Sequence, residues 1–243
     1  MRRSRRFLMA GVATGALFAA GCAEGPLPGA PTVAVPPAPQ PTPTPTATPS
    51  ATARYRVTFD ASWSRSSHPQ DFPSNPHFSP LVGGTHTAAV RFWAEGARAS
   101  AGIRDMAERG RTQPLDQEIE AAIAAGTAQR LLIGGAVGTS PGSVVLEFEV
   151  SQAYPLVTLV TMIAPSPDWF VGVTALPLFE NGQWAAERRV DLVPWDAGTD
   201  SGSSFSSPDR AAAPPEPISR ILSAPLSPDG RVTPLGTFVS VRM

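Results

Sequence analysis

Cys22 is the only cysteine in the 243-residue chain. No internal disulfide can form, so whatever folds must be held by packing, hydrogen bonds or a bound ion. The position of that cysteine narrows the problem further. It closes an apolar run from Phe7 to Ala20 that follows the basic residues Arg2, Arg3, Arg5 and Arg6. The run is too short to span a ~30 Å hydrocarbon core as a lasting helix. A basic flank, a short apolar stretch and small residues before a cleavage point mark a secretory signal.

The small residues Ala19-Ala20-Gly21 lead straight into Cys22. This resembles the lipobox of bacterial lipoproteins, with Ala19 where Leu is usual. The resemblance implies that Cys22 is acylated and becomes the mature N-terminus. More than one acyl chain at that residue is enough for stable membrane attachment. Residues 1–22 are therefore expected to be a signal peptide, and the protein to be exported and lipid-anchored to the cell envelope, facing the periplasm or the cell surface.

Residues 23–54 are dense in Pro, with Thr and Ala between, and have no aromatic residue. Such a segment cannot bury enough apolar surface to offset its ordering entropy. It is expected to be a disordered linker of polyproline character, rising ~3.1 Å per residue. The domain proper is expected over 55–243, long enough for one well-buried core. Its basic residues are all Arg, and its Asp and Glu outnumber them. A mildly acidic domain with no basic stripe argues against a nucleic-acid partner.

The domain reads as mainly β. Tyr55, Val57 and Phe59 alternate with polar residues, as do Val144, Leu146, Phe148 and Val150. That is the period of a half-buried strand. Leu156–Ile163 is continuously apolar or Thr and reads as a buried strand. Thr87–Trp93, Phe170–Leu178, Trp184–Leu192, Ile218–Leu222 and Gly236–Arg242 are further candidates, several separated by turn signals such as Asn181-Gly182 and Asp229-Gly230. One region is helical: Ile103, Met106 and Ala107 share a face that Gly110 would cap. A second helix is expected after Pro114, with Leu115, Ile119, Ala122 and Ile123 as its apolar stripe. The architecture implied is an antiparallel β-sandwich with a short helical insertion.

Three carboxylates stand out in loop-like surroundings. Asp168 follows Pro165 and Pro167; Asp196 and Asp200 bracket Ala197-Gly198-Thr199. Carboxylates that converge from two loops repel one another unless protons or a cation intervene, and a hard oxygen site of this kind suits Ca²⁺. Composition alone leaves the alternative open, because Asp and Gly are ordinary turn residues.

The longest distinctive stretches are YRVTFDASWS (Tyr55–Ser64), GGTH (Gly83–His86), FWAEGARASAGIRDMAERG (Phe92–Gly110), PSPDWFVGV (Pro165–Val173) and LVPWDAGTDSGSSF (Leu192–Phe205). In order and spacing they resemble the spondin domain, the N-terminal module of the extracellular-matrix proteins F-spondin and mindin. The resemblance implies a C2-like antiparallel β-sandwich. It also implies a Ca²⁺ ion held by Asp168, Asp196 and Asp200. One feature departs from the animal domains: with Cys22 as its only cysteine, this chain cannot form their disulfides. The function expected is an envelope-anchored, Ca²⁺-binding module for adhesion to a protein or glycan ligand.

Other chemistries need weighing. Gly138-Thr139-Ser140-Pro141-Gly142 fits G-x-S-x-G, but a nucleophile elbow needs a strand before the Ser and a helix after it, with His later in the chain. Here His68, His77 and His86 all precede Ser140. A hydrolase using Ser140, or the Asp168 and Asp196 carboxylates as an acid–base pair, is the alternative. The three His match no short zinc motif, and His86 reads as a structural hydrogen-bonding residue. Trp169 and Trp195 adjoin the expected ligands and could shield an ion from water.

Overall fold

The computed structural model describes residues 49–243. The signal peptide, Cys22 and most of the linker lie outside them. Strand β1 (Thr52–Ala61) begins inside the stretch read as linker. The chain then runs through β2 (His77–Phe78), β3 (Val82–His86), helices α1 (Ala101–Arg109) and α2 (Leu115–Ala124), and β4 (Ala128–Ile133). Next come β5 (Gly142–Ser151), β6 (Leu156–Ala164), β7 (Trp169–Pro177) and a small hairpin of β8 (Phe179–Glu180) and β9 (Gln183–Trp184). The last elements are β10 (Glu187–Leu192), β11 (Trp195–Asp196), β12 (Ser219–Arg220) and β13 (Gly236–Arg242).

The main strands form two antiparallel sheets. One has the order β10-β13-β1-β5; the other runs β12-β11-β7-β6-β3-β4, with β2 added beside β6. Tyr55, Val57, Phe59 and Ala61 turn inward from β1 and are buried. Their neighbours lie on the wetter face, where Arg56 bonds Glu147 directly across the β1–β5 ladder at 2.9 Å. The expected alternation is thus observed, and the fold is an antiparallel β-sandwich.

A second core explains why β6 does not alternate. The inter-sheet core includes Phe59, Trp63, Phe78, Leu159, Trp169 and Phe238. On the outer face of the second sheet, Ile103, Met106, Leu115 and Ile119 from the two helices pack against Val160, Met162 and Phe170. β6 is covered on both faces, and all of its residues after Leu156 are buried. Helix α1 ends at Gly110 and α2 begins after Pro114 as expected, while the Ser100 cap of α1 is a finding of the structure. Gly110 adopts the left-handed conformation at φ 64° and donates to Met106 O at 2.9 Å. Ser100 caps α1 by accepting from Ile103 N at 3.1 Å. Ile123 is only partly buried, so the stripe of α2 is narrower than expected.

Three strand expectations are corrected. Thr87–Trp93 is not a strand: the sheet pairing ends at His86, after a register shift at Thr85/His86. Beyond it, Phe92 and Trp93 plug the helix-side core, and Trp93 Nε1 donates to Val173 O at 3.3 Å. The strand lies instead one step earlier, in the GGTH segment. There a Cβ on Gly83 would sit 1.9 Å from Thr158 O and one on Gly84 2.9 Å from Arg130 O, so β3 fits between β4 and β6 only without side chains at those positions. Trp184–Leu192 splits into β9 and β10, and Ile218–Leu222 contracts to β12.

Candidate metal centre

β7 and β11 are antiparallel neighbours, with Asp196 opposite Trp169 and Trp195 opposite Phe170. This pairing brings together the two loops that carry the expected ligands. Asp168 ends the loop that leads into β7, and its carbonyl accepts from Ala197 N at 3.1 Å. Gly198, at φ 72°, then turns the chain so that two successive backbone N–H groups face the Asp168 carboxylate. Thr199 N donates to Asp168 Oδ2 at 2.7 Å and Asp200 N at 3.0 Å, and the Thr199 hydroxyl adds a third bond at 3.2 Å. Only glycine can occupy position 198, because a Cβ there would lie 2.3 Å from Glu216 O.

All of these bonds go to one oxygen. Asp168 is 0% exposed, and its other oxygen, Oδ1, is buried with no hydrogen-bond partner. Burial, and after it the charge of Asp196, pushes the Asp168 carboxyl up to about 7 against the lowering effect of its three donors. Asp196 is also raised, again chiefly by burial, while the bond from Gly198 N opposes the shift. Its Oδ1 accepts from Gly198 N at 2.7 Å. Asp200 is tied on both oxygens, by Gly202 N at 2.7 Å and Arg210 N at 2.6 Å.

The three expected residues are therefore brought to one end of the sandwich. The Asp200 amide bonds the Asp168 carboxylate at 3.0 Å, and Asp196 and Asp200 line one cavity. Among the described residues, no three His, Cys, Asp or Glu side chains form a ready cation cage. A bare carboxylate oxygen buried next to a second carboxylate is nonetheless the arrangement a divalent cation relieves, since an uncompensated buried charge is costly. The donor set is all hard oxygen, as Ca²⁺ requires. Sequence reasoning missed Glu216, whose charge acts on Asp196. It sits in the Ala/Pro stretch Ala211–Pro217, where no spacing singles it out.

The aromatic neighbours behave differently from one another. Trp169 packs edge-on against Phe205 at 5.3 Å and closes the inner side of the site. Trp195 packs into the helix-side core against Trp93, with the Arg220 guanidinium 5.2 Å over its ring.

The competing residues are all engaged elsewhere. Ser140 is buried, its hydroxyl donates to Trp63 O at 2.7 Å, and it leads into β5 rather than a helix. His86 lies between Thr87 O and Thr158 Oγ1, each at 2.8 Å, and burial lowers its pKa. His68 is likewise buried, against Ser67 Oγ at 2.9 Å, and His77 Nδ1 lies 2.9 Å from Asn75 O. The three His residues thus have separate partners, and His86 has the structural role expected of it.

Comparison with known proteins identifies the family of the domain. The sequence profile of the Spondin_N family matches residues 53–231. Spondin-2 of Homo sapiens is 39% identical over 176 residues, covering 71% of this chain and 53% of that protein. Spondin-1 of Mus musculus is 36% identical over 180 residues, 70% of this chain and 22% of that protein. The chain thus spans about half of the Spondin-2 relatives and a smaller part of Spondin-1. Both loops that meet at Asp168 and Asp196 fall inside the matched region, and this chain belongs to the Spondin_N family.

Proposed function

We propose that this protein is a binding module of the adhesion type, stabilised by Ca²⁺ at Asp168, Asp196 and Asp200 and displayed from a cell-envelope membrane through a lipid on Cys22. The observation that carries the cation reading is the unpartnered, fully buried Oδ1 of Asp168 beside Asp196. Bound Ca²⁺ would neutralise these carboxylates and fix the two loops relative to each other. The chain's own residues do the remaining work. Thr199 and Asp200 amides orient Asp168, Gly198 lets the loop approach, and Trp169 keeps water from the inner side. By analogy with other extracellular Ca²⁺ modules, the affinity expected is on the order of 10⁻⁴–10⁻³ M.

The path of β1 supports a display role. The chain enters at Pro49–Ala51, where Gln152 Nε2 donates to Ser50 O at 2.9 Å and Trp184 Nε1 to the same oxygen at 2.8 Å. β1 then crosses the sandwich to Ala61, beside Gly236, at the end where β10 leaves toward Asp196. Its 10 residues span ~33 Å. The carboxylate loops therefore lie at the end of the domain remote from Pro49–Ala51, clear of its first described residues and free to meet a protein or glycan ligand. Among the described residues, no helix is long and apolar enough to cross a membrane.

The test is thermal unfolding of the purified protein with millimolar Ca²⁺ and with chelator. The wild type should melt higher with Ca²⁺, and Asp196→Ala should lose the difference. Identical curves for the wild type in the two conditions would sink the cation reading.

A further inference from the structure

The β8–β9 hairpin turns through Asn181-Gly182, with Glu180 opposite Gln183 and Phe179 opposite Trp184. Asn181 lies at φ 52° and Gly182 at φ 75°, and both are exposed. Positive φ at both central residues defines the two-residue turn that Asn-Gly favours. A Cβ on Gly182 would meet nothing within 4 Å, so the junction stands clear of the rest of the fold. The chain has one other asparagine, Asn75, and it precedes Pro76.

An asparagine side chain can be attacked by the backbone nitrogen of the next residue. The Gly182 N–H gives its proton to hydroxide, and the nitrogen forms a bond to Asn181 Cγ. The Cγ–Nδ2 bond breaks, and the amide nitrogen leaves as ammonia after taking a proton from water. Water then opens the five-membered imide. Breaking the ring N–Cγ bond yields aspartate. Breaking the bond from the same nitrogen to the backbone carbonyl carbon yields isoaspartate, whose main chain runs through Cγ. Nothing is oxidised or reduced; one water enters and one ammonia leaves. Asn75 has no such route, because the Pro76 nitrogen carries no hydrogen. Ring closure has to draw Asn181 out of the turn, and a separate pair of two-residue strands opens at little cost.

The hairpin also holds the point where the chain enters the domain. Trp184 packs on Phe179 with ring centroids 4.8 Å apart and on Tyr55 at 6.4 Å, and its Nε1 donates to Ser50 O at 2.8 Å. Isoaspartate adds one main-chain carbon to a two-residue loop, and the pairing of Phe179 with Trp184 depends on that loop length. We propose that Asn181 is a site of spontaneous covalent modification, in which the Gly182 nitrogen displaces its amide and the isoaspartate formed loosens the Trp184 clamp on Ser50.

The experiment is storage of the purified protein in warm, mildly alkaline buffer, followed by peptide mapping by mass spectrometry and labelling with isoaspartyl methyltransferase. The peptide holding Asn181 should gain the mass difference between an amide and an acid and accept methyl label, and the peptide holding Asn75 should do neither. Asn181→Gln should stay unmodified, since attack on its longer side chain closes a less favourable six-membered ring. In the stored wild type the Trp184 indole N–H should exchange with deuterium faster than in fresh protein. Fresh Asn181→Asp adds the charge without lengthening the main chain and should exchange as the fresh wild type does. Storage that leaves Asn181 intact, or converts it to aspartate alone, would overturn the proposal. Isoaspartate formed from Asn181 with unchanged exchange at Trp184 would overturn the clamp.

Discussion

Trp169 and Asp196 face each other as direct partners across the β7–β11 ladder. That one pairing sets Asp168, the residue before Trp169, beside Asp196. The consequence is a buried carboxylate with one bare oxygen. Asp168→Asn removes the charge while keeping the size of the side chain and an oxygen for the Thr199 and Asp200 amides. The variant should be more stable than the wild type in chelator at about pH 8, by roughly 1–3 kcal/mol. It should also lose the Ca²⁺-dependent rise in melting temperature. A variant less stable than the wild type in chelator would show that the buried charge does not weaken the fold.

The pH dependence follows from the same group. Asp168 is raised to about 7 in the folded protein, against 3.8 for the free side chain. Between those values the native state binds the extra proton, so the stability it contributes is whole below the lower value and is lost as pH rises toward the upper one. Asp196 is shifted in the same direction and adds to the trend. In chelator the melting temperature should therefore fall from about pH 4 to about pH 7 and level off above. Ca²⁺ should offset the fall, giving a larger stabilisation at about pH 8 than at about pH 5. A Ca²⁺ effect that is equal at both ends would contradict the assignment of the raised group to the cation site.

Much of the fold is legible in the sequence, and the gaps have physical causes. Strands with one wet face announce themselves by alternation, as Tyr55, Val57 and Phe59 do. The continuous apolar run of β6 marks a strand, but it does not say that helices cover the outer face. β4 escapes a pattern reading because its exposed and buried residues do not alternate cleanly. Phe92 and Trp93 look like strand residues because a plug into a core and a strand bury aromatics alike. The Asp168–Asp196 meeting depends on the β7–β11 register, a long-range property that no local pattern encodes. The family resemblance supplies it.

Gly83 tests the close packing of β3. A Cβ there would meet Thr158 O at 1.9 Å and Leu159 Cα at 2.8 Å, both backbone atoms that cannot rotate away. Gly83→Ala should cost at least about 3 kcal/mol or prevent folding. Gly138→Ala, where nothing lies within 4 Å of the added Cβ, should change stability by less than about 0.5 kcal/mol. Chemical denaturation of the two variants, side by side, would separate packing from a general intolerance of substitution.

Cys22 tests the anchor. Cells expressing the wild type and fed labelled palmitate should incorporate label into the protein, and a Cys22→Ser variant should not. The variant should also leave the membrane fraction. Label that persists in Cys22→Ser would remove the cysteine from the anchoring scheme while leaving the domain's chemistry untouched.

Ser140 separates a structural serine from a nucleophile. The residue is 4% exposed, and its hydroxyl is spent on the Trp63 carbonyl, which ties the turn before β5 to the chain just past β1. Removing the hydroxyl strands that carbonyl in the core, where an unmade hydrogen bond costs about 1–3 kcal/mol. Ser140→Ala should therefore lower the unfolding free energy by about that amount and leave any response to Ca²⁺ unchanged, because Trp63 reaches the carboxylate end only through Phe205 and Trp169. A hydrolase would behave otherwise. Turnover of an ester substrate by the wild type, lost in Ser140→Ala at a temperature where both proteins are folded, would make Ser140 a nucleophile and overturn its structural role.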